Sequence, residues 1–186
     1  DATLAVDLLT DICKPKERNG NTAIGLSFIP QSGQATLDEY LASSGDGSSS
    51  SEEDLERTLV DALTATGAND ELAKRHLPIM RFAKKKRCSL LALAPELSDL
   101  ATVQKGGLQS LDPQRREAYV ADAQGFIALT QDPKFKLYTD KSLLKDFTPT
   151  KSNDAAASKA EQGNFFAERI LVHEACATAI SKWATF

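Results

Sequence analysis

The chain has 186 residues, of which 41% are apolar and 26% charged, and its formal net charge is −4. That composition belongs to a folded globular protein rather than a disordered one, and its acidic balance excludes a general grip on nucleic acid or on anionic membranes, which needs a basic face. No apolar run approaches the roughly 20 residues of a membrane span.

In chain order, residues 2–13 place Leu4, Leu8, Leu9 and Ile12 at helical spacing, and Pro15 with the "RNGN" loop stops that helix. The chain begins at Asp1, without a methionine, in what reads as the middle or end of a helix. A removed targeting peptide or a missing upstream part of the domain is therefore expected. "TAIGLSF" (22–28) is a short apolar run between turn signals, as in a buried strand. "SGQATLDEYLAS" then puts Leu37, Tyr40 and Leu41 on one helical face, and "SSGDGSSSS" (43–51) reads as a flexible Ser/Gly loop. Ser51 and Asp54 resemble a capping box opening a helix whose stripe is Leu55, Leu59 and Leu63, ended by Gly67.

A further helix is expected over about 70–86, kinked at Pro78. "CSLLALA" (88–94) gives a second buried strand. Helices follow at about 96–105, with a Gly106–Gly107 C-cap, and at 113–121, with Asp112 as N-cap and Pro113 first in the helix. "PKFKLYTDKSLLKDF" suggests another helix, and "SNDAAASKAEQG" a surface connection or frayed helix start. The last helix should run from about Asn164 to Trp183, with Phe166, Ile170, His173, Ala177 and Ile180 on its inner face.

The fold class that follows is α/β: a small parallel sheet, with strands at about 22–28 and 88–94, surrounded by helices and followed by a helix-rich C-terminal part. Two strands make a marginal sheet, so partners are expected upstream of Asp1 or hidden in the chain. A single domain over 1–186, incomplete at its N-terminus, is the simplest organisation for this length.

Candidate chemistry is sparse. Cys13, Cys88 and Cys176 are odd in number and far apart, so they read as buried thiols rather than a disulfide framework or zinc site. His76 lies on a basic helix and reads as a boundary residue. His173 recurs with the apolar stripe of the last helix, where a half-buried histidine competes with an axial ligand or general base. Neither histidine has a HExxH partner, and no GxSxG surrounds the serines. Gly106 and Gly107 are too few for a phosphate cradle. The basic run at Arg81, Lys84, Lys85, Lys86 and Arg87 ends a helix at its negative pole. The residues alone show no catalytic constellation.

Several blocks together carry a resemblance. "AIGLSFIPQSGQATLDEYLASS" is similar to a strand, a Gln-containing turn and an "LDxYL" helix of the ChaN-like haem-binding family, related to the Tiki and erythromycin-esterase proteins. "LPIMRFAKKKRCSLLALAPELSDLATVQKGGLQSLDPQRREAY" resembles that family's next helix–strand–helix unit, with a plant and algal flavour. "FFAERILVHEACATAI" resembles its last helix, where Glu174 matches the family's glutamate.

The resemblance implies a pocket beyond the carboxyl ends of the strands, with Ser27, Ala94, Pro95 and Glu96 on its rim. The superfamily's Gly-Glu-x-x-His motif belongs at the end of a first strand that these 186 residues do not contain, and Ser27 stands where a glutamate follows Gly-Leu. The leading expectation is therefore a non-catalytic interaction or scaffold domain, docking on other subunits of a larger, plastid or otherwise intracellular, assembly. It would use Phe126, Phe135 and Tyr138 of segment 126–147 as anchors and the Arg81–Arg87 run as a basic rim, with no cofactor and no metal. Peripheral membrane association stays open. The alternative is haem or a related tetrapyrrole, with Tyr119, Tyr138 or His173 as axial ligand. A metal-dependent hydrolase comes third.

Overall fold

The computed structural model describes residues 2–12, 22–43, 49–148 and 155–185. The chain divides into two compact units, Asp1–Ala94 and Pro95–Phe186.

In the first unit the order is α1 (Ala2–Ile12), β1 (Ala23–Pro30), a 3₁₀ turn (Gln31–Gly33), α2 (Gln34–Ala42), α3 (Ser49–Ala65), α4 (Asp70–Lys86) and β2 (Ser89–Ala94). The two strands pair in parallel, from Ala23 opposite Ser89 to Leu26 opposite Ala92, with an irregularity before Pro30 meets Ala94. β1 runs two residues beyond the expected end at Phe28. α3 begins at Ser49 rather than Ser51, so the last part of the expected Ser/Gly loop is helix, while 44–48 lie outside the described residues.

Branched and long apolar side chains from every layer meet in one core, including Leu26, Ile29, Leu37, Leu63, Met80 and Leu90. Leu59 and Leu63 of the expected stripe are buried, and Leu55 packs at the edge. Asn69 caps α4 by accepting the Leu72 N–H at 2.9 Å. Pro78 lies inside α4 without ending it. Arg87 closes that helix in the left-handed region, at φ 56°, where glycine is the usual residue. His76 stands against the Phe28 ring, with its Nδ1 2.7 Å from the Leu72 carbonyl oxygen.

The second unit is helical: α5 (Leu97–Gly106), a 3₁₀ turn (Leu108–Ser110), α6 (Pro113–Tyr119), α7 (Ala123–Thr130), α8 (Pro133–Tyr138), a π turn (Thr139–Leu143) and α9 (Ala155–Ala184). Gly107 ends α5 at φ 74°, as the double glycine suggests. Asp112, Asp122 and Asp132 cap α6, α7 and α8 through side-chain bonds to backbone N–H groups of the first turn. Val103, Leu111, Tyr119, Leu171 and Ala175 form the unit's core.

Two expectations for α9 need correction. It starts nine residues before Asn164, because the alanine-rich run after Asp154 favours helix. Its buried face is Ala167, Ile170, Leu171, Ala175 and Thr178. Of the expected stripe, Phe166 is half-buried, Ala177 and Ile180 are exposed, and so is His173. Small alanines let α9 pack closely on α5 and α6, so side-chain size misleads about which face is inside.

Candidate functional site

The three expected axial-ligand candidates occupy different environments within the second unit. Tyr119 ends α6 and is 2% exposed. Its hydroxyl donates to Asp99 Oδ2 at 2.8 Å and accepts the Glu96 N–H at 3.1 Å. The Thr178 hydroxyl donates to the Tyr119 carbonyl at 2.8 Å and so ties α9 to the same residue. Burial pushes the phenol up to about 12, with the carboxylate of Asp99 adding to the shift against the Glu96 amide. Tyr119 is thus a fully engaged, protonated phenol at neutral pH.

Tyr138, at the end of α8, is 47% exposed. Its ring lies 6.2 Å from that of Phe135, one turn earlier. Lys134 and Lys141 fall one helical turn to either side of it, and both are exposed. α7 packs on α8, and Ile127, Leu129 and Leu137 are large apolar side chains left open to solvent. Phe126 and Phe135 are half-buried, and Phe126 packs against the core of the unit. Segment 126–147 is therefore mostly two short helices and a π turn. Helices of eight and six residues cannot turn every apolar residue inward. The surplus faces water.

His173 stands exposed on α9. Its neighbour Glu174 is half-buried, and burial, followed by the charge of Asp122, raises its carboxyl above the usual range. Burial likewise raises the half-buried Cys176 thiol, and Cys88 is buried, whereas Cys13 lies outside the described residues. A groove of about 510 Å³ also opens beside α9, where the Phe147 and Phe165 rings lie 5.5 Å apart. Asp146, Glu161 and Glu168 surround it, so it repels anions.

Of the expected rim, Ser27 is exposed on β1, Ala94 ends β2, and Pro95 and Glu96 lead into α5, with Pro95 buried. In the basic run Arg81 is paired with the buried Glu56 carboxylate. Lys84 sits 4.7 Å above the centre of the Tyr40 ring and donates to Ser43 Oγ at 2.7 Å. Lys85, Lys86 and Arg87 remain exposed. Asp99, Thr178 and the open Leu137 are the residues that sequence reasoning misses here. Only the spacing of the Asp caps hints that α7 and α8 are too short to hide their apolar content.

Over residues 1–185 the chain matches the family model described as haem-binding uptake, Tiki superfamily, ChaN. No curated protein and no solved structure matches it. The chain belongs to the ChaN haem-binding family.

Proposed function

We propose that this member of the ChaN haem-binding family binds haem or a related tetrapyrrole on the open α7–α8 surface, with Tyr138 as axial ligand, and without catalysing hydrolysis. The observation that carries the reading is the exposed Tyr138 phenol beside solvent-facing Leu137. Haem asks for an apolar face, an oxygen or nitrogen ligand to iron, and cations for its propionates. Ile127, Leu129 and Leu137 supply apolar surface, and Lys134 and Lys141 supply charge. Tyr119 is engaged with Asp99 and Tyr40 is nearly buried, whereas Tyr138 is the phenol exposed over about half of its surface among the described residues. When bound, haem brings its own redox and ligand chemistry, and the chain contributes a seat for it.

The test is a titration of the full chain with ferric haem. The Soret band should shift saturably, and Tyr138→Phe should remove the shift while His173→Ala leaves it intact. A shift that survives Tyr138→Phe, or that disappears in His173→Ala, overturns the assignment.

A second reading rests on the same exposed side chains. An apolar patch of this kind also suits docking on another protein, with Phe126, Phe135 and Tyr138 as anchors inside a larger assembly. Crosslinking in cell extract through Lys134 or Lys141 to a stoichiometric protein partner would favour it over haem.

A further inference from the structure

We propose that the groove between α2 and α3 is a second ligand site, taking a small, uncharged, mostly apolar molecule with one hydrogen-bond acceptor, which the Tyr40 hydroxyl would hold. The groove has a volume of about 280 Å³ and is lined by Leu55, Leu59 and Ala62 together with the more polar Thr36, Glu39 and Thr58.

Tyr40 lines the groove and is only 4% exposed. Its backbone carbonyl accepts from Ser43 and its ring lies under Lys84, but its hydroxyl has no hydrogen-bond partner among the described residues. Among the described residues no sealed side-chain nitrogen or oxygen lacks a partner. The hydroxyl is therefore not enclosed in the core; it opens on the groove. A donor held by a nearly buried ring, open on a groove and bonded to no described residue, is free to meet an acceptor carried by a ligand.

Charge and size narrow the class. The hydroxyl stays protonated, because burial and then the charge of Glu56 push it up to about 12, so it acts as a donor. The nearby cations are already engaged: Arg81 with Glu56, and Lys84 with Ser43 and the Tyr40 ring. With Glu39 in the lining, an anion finds repulsion and no counter-charge. A buried apolar cavity of about 150 Å³ takes benzene. A groove of about 280 Å³ thus suits one ring with a short carbonyl-bearing tail, and it is too small for a tetrapyrrole. The site is independent of the α7–α8 reading.

Acetophenone is the probe, with ethylbenzene and benzoate as controls. In amide correlation spectra of the full chain, acetophenone should move resonances of α2 and α3 saturably. Tyr40→Phe removes a hydroxyl that bonds no described residue, so the variant should fold with native stability and bind acetophenone about tenfold more weakly, the worth of one hydrogen bond. Ethylbenzene should show the same loss on the native chain, and benzoate should not bind. The proposal is overturned if α2 and α3 do not respond, if ethylbenzene binds as tightly as acetophenone, or if Tyr40→Phe changes nothing. A large loss of stability in Tyr40→Phe would also overturn it, by showing that the hydroxyl is bonded within the fold.

Discussion

The side-chain amide of Gln34 reaches across from α2 to β2, where its oxygen accepts the Ala92 N–H at 2.8 Å. Its nitrogen donates to the Leu90 carbonyl, also at 2.8 Å. The Ser89 N–H points the other way, to Thr22 before β1, so residues 90 and 92 turn their polar groups to the opposite edge. One glutamine does there what a neighbouring strand would do. This is how a sheet of two described strands keeps a buried edge satisfied.

Gln34→Ala should cost about 2–4 kcal/mol, because it strips partners from the backbone groups of two buried residues. Gln34→Glu should fall between the two, keeping the acceptor for Ala92 but setting a carboxylate against the Leu90 carbonyl. Urea unfolding of the three proteins gives the order. A loss below about 1 kcal/mol in Gln34→Ala would mean that the edge finds other partners.

The sequence places Arg81 on a basic rim for a partner, yet it grips Glu56, whose side chain is 6% exposed. Arg81→Ala should therefore destabilise the fold by roughly 2–4 kcal/mol, less than a fully buried pair because half of Arg81 lies in water. The double variant Glu56→Leu, Arg81→Met should recover most of that loss, as no lone charge remains. Equal stability of the native chain and Arg81→Ala would instead return Arg81 to the surface.

Tyr40 and Tyr119 both ionise near 12 in the folded chain, against an ordinary value of 10. The folded state thus holds these two protons longer than the unfolded one. Their contribution to stability is complete below about pH 10 and is lost as pH rises towards 12. Phenolate absorbance should lag in the native chain and catch up on unfolding, and Tyr119→Phe should remove part of the lag. Coincident titration of native and unfolded chains would contradict this.

The parallel strands are legible in the sequence because each is apolar throughout and bounded by turn residues. The cap at Asp112 follows from local chemistry in the same way. The inner face of α9 is not legible, since Ala167 and Ala175 are chosen for close approach rather than for hydrophobic size, and the larger Phe166 and Ile180 fall outside the buried set. Nor are Gln34 on β2 and Tyr119 on Asp99. Such bonds join residues far apart in sequence and leave no periodicity. The candidate haem surface is half-legible: the apolar content of "GFIALTQDPKFKLY" is visible, but its exposure depends on how short α7 and α8 turn out to be.

Asp112, Asp122 and Asp132 each start a helix, ten residues apart. The segment therefore has a unit of length. Removing residues 123–132 would join Asp122 to Pro133 and rebuild the Asp-Pro start that now opens α8. No buried residue of α7 would go with them; Phe126 alone leaves the edge of the core. The chain can thus shorten here by a whole period without uncapping a helix, whereas a deletion of five residues would strand one. Relatives that differ in length should differ in this stretch by steps of about one capped helix.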